Sequence, residues 1–314
     1  MTEALPNTDF QRMVPLLREK GFYTPEPQQK IVWPEYNQTQ IMDAEETLTF
    51  IREVVDETEP LDWKGKVVRP LTNQKTLAKA VLACEALGFP ERQAQGWLRI
   101  IGPYLGIHER LDDRTIGDAY DKIEVVYLLT QIFHQTKESD GRLAGDGTGL
   151  ETTRKQNYES KKKTPSYLTS IVDSREIVQA FDTSGEQECR AMHKLLPQVY
   201  GNSLRLDAGF NDRALVKEIA DQKMIPYVFP KKSNLLNGSL AWKTMYLELM
   251  LDVMHWLTEY HQRSHTESFH SSFKRVYGPV TKRRPTAQLT QITARIILHN
   301  RRRQSYFNKI TKND

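Results

Sequence analysis

The chain has 314 residues, of which 39% are hydrophobic, 9% aromatic and 27% charged, as is usual for a globular protein with a sizeable core. The apolar runs are too short to cross a bilayer, and the N-terminus lacks a basic region followed by an apolar one, so we expect neither a membrane span nor a signal peptide. The two cysteines, Cys84 and Cys189, are far apart in the sequence. This is typical of a reducing cytosol, and we expect neither cysteine to be a metal ligand or a nucleophile.

Charge is unevenly distributed along the chain. Residues 1–140 carry a net charge of −7 and residues 141–314 a net charge of +11, which together give +4. The basic residues near the C-terminus are Lys282, Arg283, Arg284, Arg295, Arg301, Arg302, Arg303 and Lys309. A solvated basic tail is common, but this asymmetry favours a polyanionic partner such as nucleic acid for the basic half.

The first 138 residues are predicted to form an all-α region in two parts. Residues 1–65 are rich in proline and partly irregular, with one helix at about 44–57 that begins after Asp43, where Glu46 completes a capping-box-like start. Residues 66–138 are predicted to hold three helices with short connections. They fit a helix-turn-helix DNA-binding region, although any small helical bundle would show the same pattern.

From residue 139 to residue 314 the pattern changes to mixed strands and helices. Strands are predicted at 143–150, 167–172, 176–181, 203–207 and 224–229, and helices at 186–200, 213–221 and 286–308. Residues 240–275 are predicted to form one long helix or a pair of helices. Three meandering strands followed by alternating helices and strands require parallel pairing in the second half of the sheet. This order predicts an α/β fold of the ribonuclease H-like class, with a mixed sheet flanked by helices and a basic C-terminal helix.

Three carboxylates are expected to converge in such a fold. Asp146 falls on the first strand and Asp207 at the end of the fourth, and these strands are neighbours in a ribonuclease H-like sheet. Glu267 approaches from a helix that packs against the sheet. Carboxylate oxygens suit Mg²⁺ or Mn²⁺, and two such ions can bind the attacking and leaving oxygens of a phosphodiester.

The segment YHQRSHTESFHSSFK carries Tyr260, Arg263, Glu267 and Lys274. On a single α-helix their angular positions relative to Tyr260 are roughly 0°, 300°, 340° and 320°, so all four point from one arc about 60° wide. Cations on this arc are expected to hold phosphates beside the metal site. The alternative is a solvated helix face, on which an i,i+4 pair contributes only a few tenths of a kcal/mol.

Other candidate ligands are assigned to local structure. Asp212 comes immediately before a predicted helix and is interpreted as its N-cap, while Asp173 and Asp182 are interpreted as turn residues. His261 and His265 face away from the arc and are interpreted as surface or packing residues. His270 lies beside the arc, where packing is favoured over phosphate contact.

At these residues the chain resembles the insertion-sequence transposases with a DDE catalytic domain. Tyr260, Arg263, Glu267 and Lys274 match all four places of the family's Tyr-x2-Arg-x3-Glu-x6-Lys signature. The segment LAGDGTGL supplies the first Asp, Asp146, and LRLDAGFNDR supplies the second, Asp207. The resemblance covers about residues 140–307.

The resemblance implies an enzyme that cleaves DNA at transposon ends and transfers the freed strand into target DNA. It implies Asp146, Asp207 and Glu267 as catalytic residues that hold two Mg²⁺ or Mn²⁺ ions. It also implies DNA as the partner, a homodimer when assembled on DNA, no membrane association, and a cytoplasmic, nucleoid-associated location in a prokaryotic host.

Further residues are expected to contact DNA. Arg263 and Lys274 are assigned to phosphates, and Tyr260 to stacking or hydrogen bonding near the DNA end, with an ordinary packing role as its alternative. The basic loop after the Asp146 strand is also assigned to phosphate contact, against the alternative of a solvated lysine run. Its residues are Arg154, Lys155, Lys161, Lys162 and Lys163.

Two other functions remain compatible with the sequence. One is a ribonuclease H-like metal nuclease without strand transfer, and the other is a catalytically decayed, sequence-specific DNA-binding repressor. Some members of the family carry a β-rich insertion with a tryptophan used in hairpin formation. Here Glu267 follows Asp207 by 60 positions, an interval that holds Trp242 and Trp256, and the insertion is expected to be absent.

Overall fold

The computed structural model describes residues 7–25, 31–62, 72–153, 163 and 165–312. The helices are α1 Asn7–Leu16, α2 Trp33–Glu57, α3 Gln74–Leu87, α4 Glu91–Ile101, α5 Asp113–Ala119, α6 Ile123–Thr136, α7 Glu188–Leu195, α8 Arg213–Asp221, α9 Leu240–Leu251, α10 Val253–His261, α11 Ser264–Tyr277 and α12 Pro285–Thr311. The strands are β1 Arg142–Leu150, β2 Ser166–Val172, β3 Val178–Asp182, β4 Ser203–Leu206 and β5 Ile225–Val228. Short 3₁₀ turns follow α4, α7 and β4.

The chain folds into two compact units. The first comprises Met1–Lys30, Glu138–Gly149 and Tyr167–Ser272, and the second comprises Ile31–Lys137, Leu150–Ser166 and Phe273–Asp314. The division predicted from the sequence, at residues 65 and 138, stays a prediction.

One five-stranded sheet, in the order β3-β2-β1-β4-β5, organises the first unit. β1 pairs in parallel with β4, and β4 with β5, whereas β2 and β3 pair antiparallel. This mixed sheet flanked by helices confirms the predicted ribonuclease H-like fold. The strand bounds agree with the predicted ones within two residues, because the turns between them carry strong local signals.

The core of the first unit lies between the sheet and its helices. Its aromatic residues include Phe10 of α1, which packs on Tyr246 of α9 with ring centroids 4.8 Å apart. Trp242 and Trp256 are each 2% exposed. The interval from Asp207 to Glu267 is described throughout and holds β5 as its single strand, so a β-rich insertion is absent there.

Residues 240–275, predicted as one long helix or a pair of helices, form three helices, α9, α10 and α11. Asp252 leaves the helical conformation, with φ −141° and ψ 81°, and its side chain caps α10 by accepting the amide of His255. The second break follows His261. Around it the amides of Arg263 and Thr266 donate three residues back, to Tyr260 and Arg263 respectively, and this tightens the backbone to 3₁₀ geometry.

The described residues of the second unit are mainly helical, and its extended residues are Leu150 at the end of β1, Ser166 at the start of β2, and bridge positions at 152, 163 and 280. Asn73 caps α3 by accepting the amide of Lys75, and Gly88 ends it in the left-handed conformation at φ 67°. Two of the three helices predicted here are confirmed as α3 and α4, but the third is divided into α5 and α6. The all-helical N-terminal region is thereby confirmed.

The predicted helix start at Asp43 is wrong, because α2 begins ten residues earlier, at Trp33. Asp43 and Glu46 lie inside α2 and pair with basic residues of α12. Arg301 contacts Asp43 and Glu46 at 2.8 Å each, and Lys309 contacts Glu46 at 2.8 Å. The residues of the predicted capping box are instead acidic partners for basic residues of the last helix.

Similar ion pairs account for much of the basic C-terminal charge. Arg295 pairs with Glu85 at 2.7 Å, where both side chains are under 10% exposed, and Lys282 pairs with Glu91. All of these partners belong to the acidic first 140 residues. Charge asymmetry along the chain therefore reflects pairing within the second unit as well as any polyanionic partner. Among the described residues, no helix is long and apolar enough to cross a membrane.

Candidate active site

Asp146 and Asp207 follow directly on paired positions of two neighbouring parallel strands. The last registered pair of β1 and β4 is Gly145 with Leu206, so the next residue on each strand is an aspartate. Asp146 lies on β1, and Asp207 begins the 3₁₀ turn after β4, where its Oδ1 accepts the amide of Gly209 at 2.6 Å. Parallel pairing thus brings the two carboxylates to one edge of the sheet, as predicted.

The signature residues lie on three consecutive pieces of backbone. Tyr260 is on α10, Arg263 is in the connection, and Glu267 and Lys274 are on α11. The prediction that all four share one face of a single helix is wrong, because the chain breaks after His261.

Arg263 nevertheless joins two of the predicted catalytic carboxylates. Its Nη1 lies 3.1 Å from Asp146 Oδ2, and its Nη2 donates to Glu267 Oε1. The side chains of Arg263 and Asp146 are each 19% exposed, whereas that of Glu267 is 58% exposed. Burial lowers the pKa of Arg263, but its acidic neighbours outweigh this effect and raise it.

The electrostatics indicate one crowded acidic cluster. Burial raises the pKa of Asp146, and the charges of Asp207 and Glu188 raise it further, against the amide of Gly147 and the charge of Arg263. A cation bound nearby would stabilise the ionised form of Asp146, which burial and the neighbouring carboxylates disfavour.

Glu188, a fourth carboxylate at this site, was missed in the sequence. It is the first residue of α7, and a Cβ added at Gly147 would collide with its carboxylate. α7 also packs tightly on β1, since a Cβ at Gly145 would lie 2.7 Å from Met192 Cε. The two glycines that flank Asp146 let α7 approach. An acidic residue opening the helix after β3 was the available signal, but nothing in its spacing relates it to Asp146.

Tyr260 is packed rather than presented to solvent. It is 8% exposed and stacks on Trp256 with ring centroids 5.4 Å apart and an interplanar angle of 12°. Its ring therefore has a packing partner within the protein, and the predicted stacking on DNA stays a prediction. Burial raises the pKa of its hydroxyl, which is also sensitive to the charges of Arg263, Asp207 and Glu267. The hydroxyl thus lies in the field of the acidic cluster, where a hydrogen-bonding role stays a prediction.

A buried ion pair supports the strand that precedes Asp207. Arg205 of β4 is 1% exposed and pairs with Glu259 of α10. It also donates to the Glu259 carbonyl oxygen at 2.6 Å, to Ser203 Oγ at 2.9 Å and to the Leu143 carbonyl oxygen at 3.3 Å. One side chain thereby connects β1, β4 and α10.

The remaining residues assigned to DNA differ in what the structure says of them. Lys274 is exposed on α11, and Lys163 is exposed. The other basic-loop residues lie outside the described residues, and they are Arg154, Lys155, Lys161 and Lys162. Their phosphate contacts stay predictions.

The alternative assignments of the other acidic residues are confirmed. Asp212 caps α8 by accepting the amides of Ala214 and Leu215 at 2.6 and 3.2 Å. Asp173 is fully buried in the hairpin turn, where it accepts the amide of Ile177 at 2.9 Å. Asp182 accepts the amide of Ser184 at the end of β3.

The histidines near the signature have packing partners. His261 stacks on Tyr23 with ring centroids 4.6 Å apart. His270 is 7% exposed and lies 3.0 Å from Ser170 Oγ. Packing is thereby confirmed for both.

The donor set at the sheet edge fits hard divalent cations, because Asp146, Asp207, Glu188 and Glu267 offer carboxylate oxygens. In this arrangement the guanidinium of Arg263 contacts both Asp146 and Glu267 and offsets one of their two negative charges. The carboxylate oxygens of the three predicted ligands, Asp146, Asp207 and Glu267, do not all lie within 4.8 Å of one another. Among the described residues, one group of three possible metal ligands does have its ligand atoms within 4.8 Å of one another, and it comprises Cys189, His193 and Asp212.

Comparison with known families identifies a match to most of the second half of the chain. The model of the family described as the transposase DDE domain matches residues 138–301, slightly more than half of the chain. No curated protein and no solved structure matches significantly. The matched region begins just before β1 and ends within α12, so it contains Asp146, Asp207, Glu267 and Arg263.

Proposed function

This chain belongs to the transposase DDE domain family, and from that membership we propose that it cleaves DNA at transposon ends and transfers the freed strand into target DNA. The family supports a transposase-type nuclease that binds DNA and uses a divalent metal, generally Mg²⁺. The finer proposal is that Asp146, Asp207 and Glu267 hold two such ions.

The observation that carries the proposal is the pairing of β1 and β4. It sets two aspartates side by side at the end of a buried parallel pair, and Arg263 bonds one of them to Glu267 on α11. These contacts join exposed and half-buried acids from three separate stretches of chain. The alternative, in which the signature is only a solvated helix face, does not account for the contact between Arg263 and Asp146 on the sheet.

Each side chain has a distinct task in the proposed reaction. When bound, two divalent ions polarise the scissile phosphate and lower the pKa of the attacking hydroxyl. The carboxylates of Asp146 and Asp207, fixed by rigid strands, set the ligand positions. Glu267 is 58% exposed and supplies the third ligand from the side open to DNA.

The cations of the signature act on phosphate. Arg263 presents a planar fork that suits two oxygens at once, whether from carboxylates or from a phosphate. Lys274, two helical turns beyond Glu267, offers a point charge to the flanking DNA backbone. A homodimer assembled on DNA is part of the proposal, since transposition must bring two ends together.

Cleavage of DNA that carries the element's own terminal repeats tests the proposal. We expect Mg²⁺-dependent nicking at the repeat and joined products when target DNA is added. Loss of one ligand in Asp146→Asn, Asp207→Asn or Glu267→Gln should cost about 4 kcal/mol of transition-state stabilisation, or about 1000-fold in rate. Asp221→Asn is a matched control, because this exposed acid pairs with Lys217 of its own helix, α8.

The outcomes separate the alternatives. Nicking without joined products would favour a metal nuclease that lacks strand transfer. Sequence-specific DNA binding whose affinity does not depend on Mg²⁺, without any cleavage product, would favour a catalytically decayed repressor. Metal-dependent nicking by Glu267→Gln at the wild-type rate would refute the catalytic assignment.

A further inference from the structure

A second group of possible metal ligands lies in the first unit, and it includes a cysteine. Cys189 and His193 are four residues apart on α7, so they share one face of the helix. Asp212, the N-cap of α8, faces them. The ligand atoms of the three residues all lie within 4.8 Å of one another, and all three residues are half-buried.

The two oxygens of Asp212 are used differently. Oδ1 accepts the α8 amides of Ala214 and Leu215, which is the capping role. Oδ2 points to Cys189 and lies 4.0 Å from its Sγ. Capping therefore fixes the carboxylate while one oxygen remains directed at the sulfur.

The distances suit a tetrahedral ion. With bonds of about 2.3 Å to sulfur and about 2.1 Å to oxygen, tetrahedral geometry places these two atoms about 3.6 Å apart. The observed 4.0 Å separation requires a closure of only a few tenths of an ångström, which small side-chain rotations supply.

His193 also has the outer partner that metal-binding histidines use. Its Nδ1 lies 2.8 Å from Glu218 Oε2 on α8. A carboxylate on one ring nitrogen orients the imidazole and leaves Nε2 as the nitrogen for an ion. Such a pair is not needed for a surface histidine, and here it adds a second link between α7 and α8.

We propose that Cys189, His193 and Asp212 form a Zn²⁺ site that joins α7 to the start of α8. One thiolate, one imidazole and one carboxylate form a mixed donor set that favours Zn²⁺ over Mg²⁺. On binding, a Zn–S bond forms and the thiol proton passes to solvent. Water completes the tetrahedron, because the group is half-buried and open on one side.

This site differs from the proposed catalytic site, because it contains a thiolate and an imidazole and its expected role is to restrain the backbone. α7 opens with Glu188, and α8 follows the turn that carries Asp207, so the ion would restrain both of these segments. The spacing of the cysteines along the chain did not predict such a site. Cys189 and His193 are four residues apart on one helix, whereas Asp212 approaches them only in the folded chain.

Cobalt binding to the full-length, metal-free protein under reducing conditions tests the proposal. We expect Co²⁺ bound at this site to give a thiolate-to-metal charge-transfer band and strong visible bands typical of tetrahedral cobalt. Zn²⁺ should displace it, and a large excess of Mg²⁺ should not. Absence of the charge-transfer band would overturn the proposal.

Matched variants locate the band. Cys189→Ser should abolish it, while Cys84→Ser, which removes the other cysteine, should leave it unchanged. The opposite result, or no effect of Cys189→Ser, would contradict the assignment. Asp212→Asn keeps a side chain that caps helices well, so a weaker site in this variant would reflect lost ligation rather than a lost helix.

Two further variants separate this site from the outer partner and from the catalytic cluster. Glu218→Gln should weaken Zn²⁺ affinity about 10- to 100-fold, as is usual for an outer carboxylate. Glu267→Gln should leave Zn²⁺ affinity unchanged whether or not it abolishes cleavage, so the two proposals fail independently. A Zn²⁺ affinity that falls with Glu267→Gln would refute a separate site.

Discussion

Replacement of Arg205 by methionine is expected to loosen the strand that leads to Asp207. Arg205 is 1% exposed and donates to groups on β1, β4 and α10. Burial lowers its pKa, and the charge of Glu259 opposes this effect. Methionine fills a similar volume without a charge, so the variant removes the ion pair with little cavity formation.

The size of the expected destabilisation depends on Glu259, which is left without its partner in the Arg205→Met variant. Loss of one partner of a buried ion pair costs about 3–5 kcal/mol, because the other charge is left without compensation. Glu259 is 27% exposed, so water can partly solvate its carboxylate, and we take the lower end, about 3 kcal/mol. Amides of β4 that exchange through opening of the sheet should then exchange about 100-fold faster.

Hydrogen exchange followed by mass spectrometry on peptides covering β1 and β4 measures this change without requiring the two units to unfold together. The double variant Arg205→Met/Glu259→Leu should recover most of the protection, because an apolar pair replaces the ion pair without leaving a charge. Lys217→Met, which breaks an exposed pair with Asp221, should leave the protection of β1 and β4 unchanged, because solvent screens such a pair. Wild-type exchange in Arg205→Met, or no recovery in the double variant, would refute the reasoning.

Gly147→Ala should slow DNA cleavage with unchanged circular dichroism, because its Cβ collides with a site carboxylate; Gly149→Ala, whose Cβ meets nothing within 4 Å, is the control, and equal rates would contradict this. Arg263→Lys keeps the charge but loses the fork that contacts two carboxylates, so cleavage rates should fall about 10- to 100-fold, the effect of about 1.5–3 kcal/mol. Burial raises the pKa of Glu46, but its hydrogen bonds and basic partners on α12 outweigh this and lower it below 4.5. Its stabilising contribution is present above pH 4.5 and is lost as the pH falls through the lowered pKa. The difference in free energy of unfolding between wild type and Glu46→Gln, measured by urea titration, should therefore shrink in acid. The variant Glu45→Gln, at an exposed neighbouring residue, is the control and should show no such change. A Glu46→Gln difference that stays constant as the pH falls would contradict the prediction.

The strand order and both aspartates were predictable because each depends on local signals. Turn residues mark the strand ends, and an acidic residue between small or apolar neighbours stands out on a buried strand. Asp212 was assigned correctly as a cap for the same reason, since capping involves amides two or three residues away. Parallel pairing then follows from the order of helices and strands, without knowledge of any individual contact.

The break between α10 and α11 was not predictable, because no proline or glycine marks it. At the break, backbone amides donate to carbonyl groups three residues back instead of four. The polar residues around it are compatible with a continuous α-helix as well as with this 3₁₀ geometry. The approach of Glu188 to Gly147 was missed for a related reason. It depends on the packing of α7 against β1, which is a property of two distant segments.

The net charge of the site leads to a last prediction about DNA binding. Asp146, Asp207, Glu188 and Glu267 carry four negative charges when ionised, and Arg263 offsets one of them. A cluster with a net charge of about −3 repels a phosphate backbone. Binding of the transposon end at this edge of the sheet should therefore need divalent cations before any chemistry takes place.

Fluorescence anisotropy of labelled terminal-repeat DNA in Ca²⁺ and in EDTA measures this coupling. Ca²⁺ offers the same hard charge, so we expect tighter binding in Ca²⁺ than in EDTA for the wild-type protein. In Asp146→Asn/Glu267→Gln two negative charges are removed, the repulsion falls, and the difference between the two conditions should narrow. The comparison is made at equal ionic strength, because screening alone changes DNA affinity. Equal affinities of the wild-type protein in Ca²⁺ and in EDTA would mean that the DNA backbone does not approach this cluster, and the assignment of Arg263 and Lys274 to its phosphates would fail with it.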